Sequence, residues 1–309
     1  MNPTPIYLGI DIAKSHLDLD LPSPNARFPN TGAGVAHLLA CLPAQAHLVC
    51  EATGGYEHTL LQAAWTAGRP ISLVSPLRVR AYARSCGQLA KTDHLDKSVL
   101  SAFGRERQPV ASIAPSPVRV RLRALLRARE YLLDLQRREC NHVEHLADVP
   151  ALRAQTAARA ALEAQQVAEL EGQIRAVVQA DAHAQTQIAR LQTLQGVGEI
   201  TAWTVWADLP ELGTLDPGQP AALAGLAPYA CDSGQHQGTR HIQSGRATLR
   251  RVLYMAAIAA SQHNPVLKQV YLRLRQKGKP AKVALIAIAR KLIEVMNLLL
   301  KNPAFTLAS

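Results

Sequence analysis

Tyr7-Leu8-Gly9-Ile10-Asp11-Ile12-Ala13-Lys14 is the stretch on which the fold turns. Tyr7, Leu8 and Ile10 have the apolar, aromatic and β-branched bias of a buried strand, and Gly9 leaves room for close backbone approach. A carboxylate in the middle of such a strand is costly to bury unless a cation or paired donors compensate it. Alone, Asp11 is better explained as a strand-end residue opening a turn. Two acidic stretches further on shift the balance toward a shared cation.

Working outward, Ile6 to Ile12 and Leu17 to Leu21 read as a hairpin pair of strands, followed by a short helix from Gly32 to Leu42. His47 to Cys50 is a third β run that ends at Glu51. Tyr56 to Ala67 places Leu60, Leu61, Ala64 and Trp65 at helical spacing, and Ile71 to Val74 is a strand with Pro76 opening the next helix. Asp93 to Gly104 is again helical, with Leu95, Val99, Leu100 and Phe103 on one side. Strands alternating with helices predict an α/β sheet domain.

Pro109, Pro115 and Pro117 mark a boundary, beyond which helices take over. Val118 to Leu146 is one long helix, with Arg119, Arg121, Arg123, Arg127 and Arg129 crowding its first half. Leu152 to Val178 carries Val167, Leu170, Ile174 and Val177 at the spacing of a coiled-coil seam, so the pair is expected to form an antiparallel hairpin. In Leu191 to Trp206, Gly196-Val197-Gly198 is a tight turn opening a helix. Such a turn offers backbone N–H groups to a phosphate, as in helix-hairpin-helix elements, although a turn without a ligand explains it equally well. From Ala247 onward three amphipathic helices carry Arg250, Arg251, Arg273, Arg275 and further cations. Three domains are expected, at 1–112, 113–182 and 183–309.

The 309 residues are 48% apolar, which excludes wholesale disorder and fibrous classes, and the formal charge of +11 with a pI near 9.7 favours a polyanionic partner. No apolar run approaches the ~20 residues of a membrane span, and Val283 to Ala289 is far too short. The N-terminus lacks the pattern of a signal peptide. Cys41, Cys50, Cys86, Cys140 and Cys231 are scattered, with no Cys-x-x-Cys pair, which predicts a reducing compartment and no structural zinc. A cytoplasmic protein with a basic surface is the expectation.

The acidic stretches are Cys50-Glu51-Ala52-Thr53-Gly54-Gly55-Tyr56-Glu57 and Lys91-Thr92-Asp93-His94-Leu95-Asp96-Lys97. Asp93 and Asp96 share one face of a helix, and like charges at that spacing repel unless a cation neutralises them. One carboxylate from a central strand, one from a neighbouring strand and a pair from a helix suit two divalent metals working on a phosphodiester. N-caps and surface acids explain each residue singly but explain the set poorly.

In these motifs the chain resembles the DEDD transposases of bacterial insertion sequences, family one-ten, and the related Piv-like DNA invertases. The second half adds Leu223-Ala224-Gly225-Leu226-Ala227-Pro228, Asp232-Ser233-Gly234, Gly238-Thr239-Arg240, Ser244-Gly245-Arg246 and Leu253-Tyr254-Met255, similar to that family's C-terminal domain. Ala230-Cys231, Ser244 and Lys97-Ser98 depart from the family's usual residues without removing a catalytic group. The resemblance implies a RuvC-like domain of RNase H-type fold. Asp11, Glu51, Asp93 and Asp96 would bind Mg²⁺ (or Mn²⁺), and Ser233 would be the DNA nucleophile. Without it, Ser233-Gly234 reads as a surface turn.

The implied partners are double-stranded DNA at the element ends and target, a guide (bridge) RNA encoded beside the gene, and further copies of the chain as a dimer or tetramer. Association with the nucleoid follows from the same reading. Arg119, Arg123, Arg127, Gly196, Gly198, Arg240, Arg246, Arg250 and Arg251 are the expected nucleic-acid contacts. Competing readings are a metal-dependent nuclease or junction resolvase that uses water, an actin-like or sugar-kinase fold, and a non-catalytic nucleic-acid-binding relative. The basic C-terminal helices and the missing second phosphate loop argue against the kinase, and four intact acids argue against the non-catalytic relative.

Overall fold

The Ile6–Ile12 segment (β1) is the middle strand of a five-stranded mixed sheet, joined by His16–Leu19 (β2), Arg27–Pro29 (β3), Ala46–Glu51 (β4) and Ile71–Val74 (β5) in the order β3-β2-β1-β4-β5. β1 runs antiparallel to β2 and parallel to β4. The computed structural model describes residues 5–21, 27–88, 93–143, 149–229, 240–242 and 245–306, with the backbone alone for 93–96.

Alternation along the strands sends Ile10, Leu17, Leu19, Leu48 and Cys50 to one face. There they pack on Gly32–Ala40 (α1) and His58–Thr66 (α2) through Leu38, Leu39, Leu60 and Leu61. Tyr7 and Val49 go to the other face, under Pro76–Ser85 (α3) and Asp93–Arg107 (α4), with Val79, Tyr82, Leu100 and Phe103. Residues 109–113 cover the outer edge of β5. The Ser112 N–H donates to the Ile71 carbonyl at 2.8 Å, and the Leu73 N–H donates to Ser112 Oγ at 2.9 Å. An exposed strand edge is thereby closed to further pairing.

Tertiary contacts divide the chain into two units, Met1–Ala114 and Pro115–Ser309. The second is mostly helical: Pro117–Val143 (α5), Pro150–Gln179 (α6), Ala182–Gln192 (α7), Glu199–Asp208 (α8), Gln219–Leu223 (α9), Ala247–His263 (α10), Pro265–Gln276 (α11) and Ala281–Lys301 (α12). Pro228–Tyr229 (β6) and His241–Ile242 (β7) form a two-stranded ribbon. At the centre lies α8, whose residues Thr201 to Ala207 are all buried against α5, α7 and α10. Ile174 of the expected seam is fully buried, while Val167, Leu170 and Val177 are half-buried.

The mixed α/β first part and the mostly helical remainder are as expected. Four elements have no clear sequence signal: β3 is three residues long, β6 and β7 two each, and α7 precedes the turn that reads as the start of its segment. No helix among the described residues is long and apolar enough to cross a membrane.

Candidate active site

Register decides which charges meet. Ile10 faces Cys50 across β1 and β4, so the next residues, Asp11 and Glu51, stand level on adjacent strands. Across the antiparallel side Asp11 opposes Asp18, and Asp18 opposes Arg27. A single row, Arg27-Asp18-Asp11-Glu51, therefore crosses the sheet on the face that α3 and α4 cover.

Gly9 permits this cover to lie close. A Cβ there would fall 2.0 Å from the Lys97 carbonyl oxygen, and its N–H donates to Ser101 Oγ at 2.7 Å. Further along, Gly104 sits on Tyr7, so α4 runs antiparallel to β1. With about 1.5 Å of rise per helical residue and about 3.3 Å per strand residue, the first turn of α4 reaches the level of Asp11. That turn carries Asp93 and Asp96, whose side chains lie outside the described residues.

Asp11 and Glu51 are half-buried and each has interaction partners. An all-oxygen donor set of four acids fits a hard divalent cation. Among the described residues alone, no three His, Cys, Asp or Glu side chains gather as a metal group. Cys50, beside Glu51, is a packing residue: burial pushes its thiol up to about 12.

Neighbouring polar groups hold this edge in shape. Asp18 is 7% exposed and accepts both Nε (2.7 Å) and Nη2 (2.8 Å) of Arg27, which hold its carboxyl below the usual range against the opposing effect of burial. Lys97 Nζ donates to the Leu19 carbonyl at 3.3 Å, tying the start of α4 to β2. Glu57 accepts from the Thr53 N–H, the Thr53 hydroxyl and the Gly55 N–H at 3.2, 2.8 and 2.8 Å, closing the loop after Glu51. Burial raises its pKa, but the backbone and hydroxyl donors outweigh burial and hold the carboxyl low. Gly54 and Gly55, at φ 77° and 124°, allow that turn. Asn30 Nδ2 donates to the carbonyls of Ala13 and Tyr56, at 3.0 Å each, joining the loops after β1 and β4. Sequence reasoning passed over Asp18, Asn30 and Glu57. The one usable signal was Glu57 closing its Gly-rich motif.

Ser233, with Asp232 and Gly234, lies outside the described residues. The feet of its segment are described: Tyr229 pairs with His241, the Arg246 N–H donates to the Leu223 carbonyl at 2.9 Å, and Gly245 packs against Gly225. A Cβ on Gly245 would come within 2.2 Å of the Gly225 nitrogen.

The basic residues divide into two groups. Arg119 lies 3.8 Å from the Trp206 ring and donates to the Trp206 carbonyl, and burial pulls its pKa down to about 10. Arg123 donates to the Ala207 carbonyl at 2.8 Å and pairs with Asp208 at 3.4 Å. Both therefore satisfy carbonyls at the C-terminal end of α8, an internal use of their charge. Arg246 grips Glu211 in a two-pronged pair at 2.7 and 3.0 Å, and Arg251 pairs with Glu130. Arg250 donates to the Gly225 carbonyl at 3.4 Å, and Arg240 also has partners. Arg127 is exposed and makes no hydrogen bond or ion pair with a described residue. It lines a cavity of about 290 Å³ with Arg251, Asp208 and Met255. The turn glycines are structural in part. Gly196 sits against the Ala260 backbone, where a Cβ would fall within 2.6 Å, and Gly198 caps α8.

Residues 8–149 match a DEDD-type transposase family model named for insertion element IS110, and residues 188–272 match a model described as transposase, IS116/IS110/IS902 family. The pilin gene-inverting proteins of Moraxella lacunata and Moraxella bovis are each 29% identical to the chain over 303 residues, covering 94% of both chains. A 43.6 kDa protein of insertion element IS110 from Streptomyces coelicolor is 32% identical over 139 residues, 44% of this chain and 33% of its own.

Proposed function

We propose that the chain, a DNA recombination enzyme carrying transposase domains of the IS116/IS110/IS902 family, cuts and rejoins double-stranded DNA of its own insertion sequence through Ser233 and four acids. The observation that carries this reading is the level placement of Asp11 and Glu51 beneath the turn of α4 that holds Asp93 and Asp96. On this reading the first unit is RuvC-like with an RNase H-type sheet. Residues 1–112 form the catalytic domain, 113–182 the helical hairpin, and 183–309 the domain that brings the serine and a helix-hairpin-helix-like turn. The resemblance adds a guide RNA, a dimer or tetramer, and a nucleoid-associated cytoplasmic setting.

Mg²⁺ or Mn²⁺ held by the acids would offset the repulsion between carboxylates and a phosphodiester and polarise the reacting oxygens. Asp11 and Glu51 supply the fixed edge of that site, and α4 supplies Asp93 and Asp96. Ser233 Oγ gives up its proton and bonds to phosphorus as one deoxyribose oxygen leaves and takes a proton. Attack by a hydroxyl of the second strand reverses the step, frees the serine and conserves the bond energy that hydrolysis would lose. Arg127, Arg240 and Arg250 serve the nucleic-acid backbone.

Denaturing electrophoresis of the protein with labelled DNA and Mg²⁺ tests the mechanism. A covalent protein–DNA adduct is expected, and Ser233→Ala should remove the adduct and the cleavage while DNA binding survives. Cleavage by Ser233→Ala at the wild-type rate would establish the water-dependent nuclease instead.

A further inference from the structure

No carboxylate occurs in the sequence between Asp232 and Glu294, yet the turn joining α11 and α12 and the helix ends beside it concentrate Arg273, Arg275, Lys277, Lys279 and Lys282, with Lys268 further back on α11. All six are exposed. The sole hydrogen bond from any of these side chains to a described residue goes from Arg275 Nη1 to the Lys279 carbonyl, at 2.6 Å, within the turn itself. No ion pair with a described residue offsets the cluster. Like charges within a Debye length of one another, about 8 Å at physiological salt, repel, and α11 and the turn contain no acidic residue to offset them.

The platform beneath them is rigid. Asn264 caps α11 by accepting from the Leu267 N–H at 3.1 Å. The turn is closed by the Gly278 N–H on the Arg275 carbonyl (3.0 Å) and the Lys279 N–H on the Leu274 carbonyl (3.1 Å), with Gly278 at φ 75°. Leu267, Ala284 and Ile288 are fully buried and seat both helices. The backbone that carries the cations is thus held by packing and by the turn's own hydrogen bonds, on two short-linked helices.

We propose that the α11–α12 turn is a docking surface for the phosphate backbone of duplex DNA, independent of base sequence. This rests on reading the chain as a DNA recombinase and adds a contact outside the residues assigned above. Lysines predominate at the turn, and a lysine acts on phosphate as a point charge. The large apolar side chains exposed there are Leu272 and Val283, with no exposed aromatic, so the surface lacks the stacking platform that single strands require. The major groove of B-form DNA, about 12 Å wide, admits one α-helix, so a helix end carrying these cations can lie against the phosphates that border it, whereas the deep, narrow groove of A-form RNA excludes a helix.

The test compares wild type with Lys277→Ala/Lys279→Ala/Lys282→Ala for binding to a random-sequence DNA duplex across a salt series. Each phosphate contact contributes a log–log slope of about 0.9, so the triple variant should lose about 2 to 3 units of slope and about tenfold or more in affinity at low salt. Its thermal midpoint should match wild type, and Lys268→Gln/Arg273→Gln provides an independent variant if the first fails to fold. An unchanged slope in a folded variant overturns the proposal, as does a loss confined to duplex RNA or to single strands. Failure of the wild type itself to bind duplex DNA would instead count against the recombinase reading.

Discussion

The acidic edge of the first unit and the cationic surfaces of the second use charge in opposite ways. Asp11, Glu51 and the first turn of α4 are far apart in sequence and are brought level by strand register and by one helix lying on Gly9. Asp18 with Arg27, and Glu57 with its three donors, hold the surroundings in place. Around the α11–α12 turn the charges are close in sequence, exposed and interchangeable. Topology sets the first arrangement and composition sets the second, so one should fail at a single position and the other by degrees.

The largest expected effect follows from that contrast. Asp11→Asn or Glu51→Gln should lower the strand-cleavage rate by about 10³-fold or more, the scale of losing a preorganised electrostatic group in a reaction centre. DNA affinity should change little. Excess EDTA should have a comparable effect on wild type, and full cleavage in EDTA would remove the metal from the scheme. A single change such as Lys279→Ala should alter binding only a few-fold. If a lone lysine rivals Asp11 in gel-based cleavage assays, the two regions do not differ as described.

A second effect separates the basic residues themselves. Arg123 closes the end of α8 and neutralises Asp208, whose pKa burial raises despite the surrounding arginines. Arg123→Ala leaves a half-buried carboxylate without its ion-pair partner and a helix-end carbonyl without its donor, which should cost about 1–3 kcal/mol in urea unfolding. Arg127→Ala, one helical turn along on the exposed side, should be neutral to stability and should weaken DNA binding. Equal stability losses for the two would dissolve the distinction.

Much of this architecture was legible in the sequence, because hydrophobic periodicity reports which face of an element is buried. The alternation through Tyr7, Leu8 and Ile10, and the helical spacing of Leu95, Val99 and Phe103, placed the strand and the helix that frame the acids. Cross-strand register was not legible. Nothing local to Asp18 or Arg27 says that they extend the row through Asp11, since β3 is too short to show a period. The environment of two α5 arginines was hidden for a similar reason. A run of cations reads the same whether the side chains meet solvent or the carbonyl end of a helix that lies more than 80 residues away, and Arg119 and Arg123 meet the latter. Exposure requires the fold, whereas the absence of acids between residues 233 and 293 requires only the sequence.

The smallest effect concerns acid. His47 is buried on β4 beneath the Tyr7 ring, with ring centroids 4.8 Å apart, and its Nε2 meets Ser72 Oγ at 2.8 Å. Ser72 in turn lies 3.0 and 2.9 Å from the carbonyl oxygens of Pro109 and Val110, so the pair anchors the covering segment beside β5. Burial lowers the pKa of His47, which makes the unfolded chain the stronger proton acceptor. Its contribution to stability is therefore complete above the unfolded value of about 6.5 and is lost as pH falls below it. Asp18 and Glu57, whose pKa values are lowered, contribute above about pH 4 and lose that contribution only in stronger acid. Between pH 7 and pH 5 the first unit should weaken with a slope of at most about 1.4 kcal/mol per pH unit. The second unit, with no buried histidine among the described residues, should respond less. Urea midpoints at the two pH values, read separately from β4 and α8 peptides by pulsed hydrogen exchange, measure the difference. His47→Gln keeps a donor to Ser72 and removes the titration, so it should flatten the β4 response; an unchanged slope in that variant would move the acid sensitivity elsewhere.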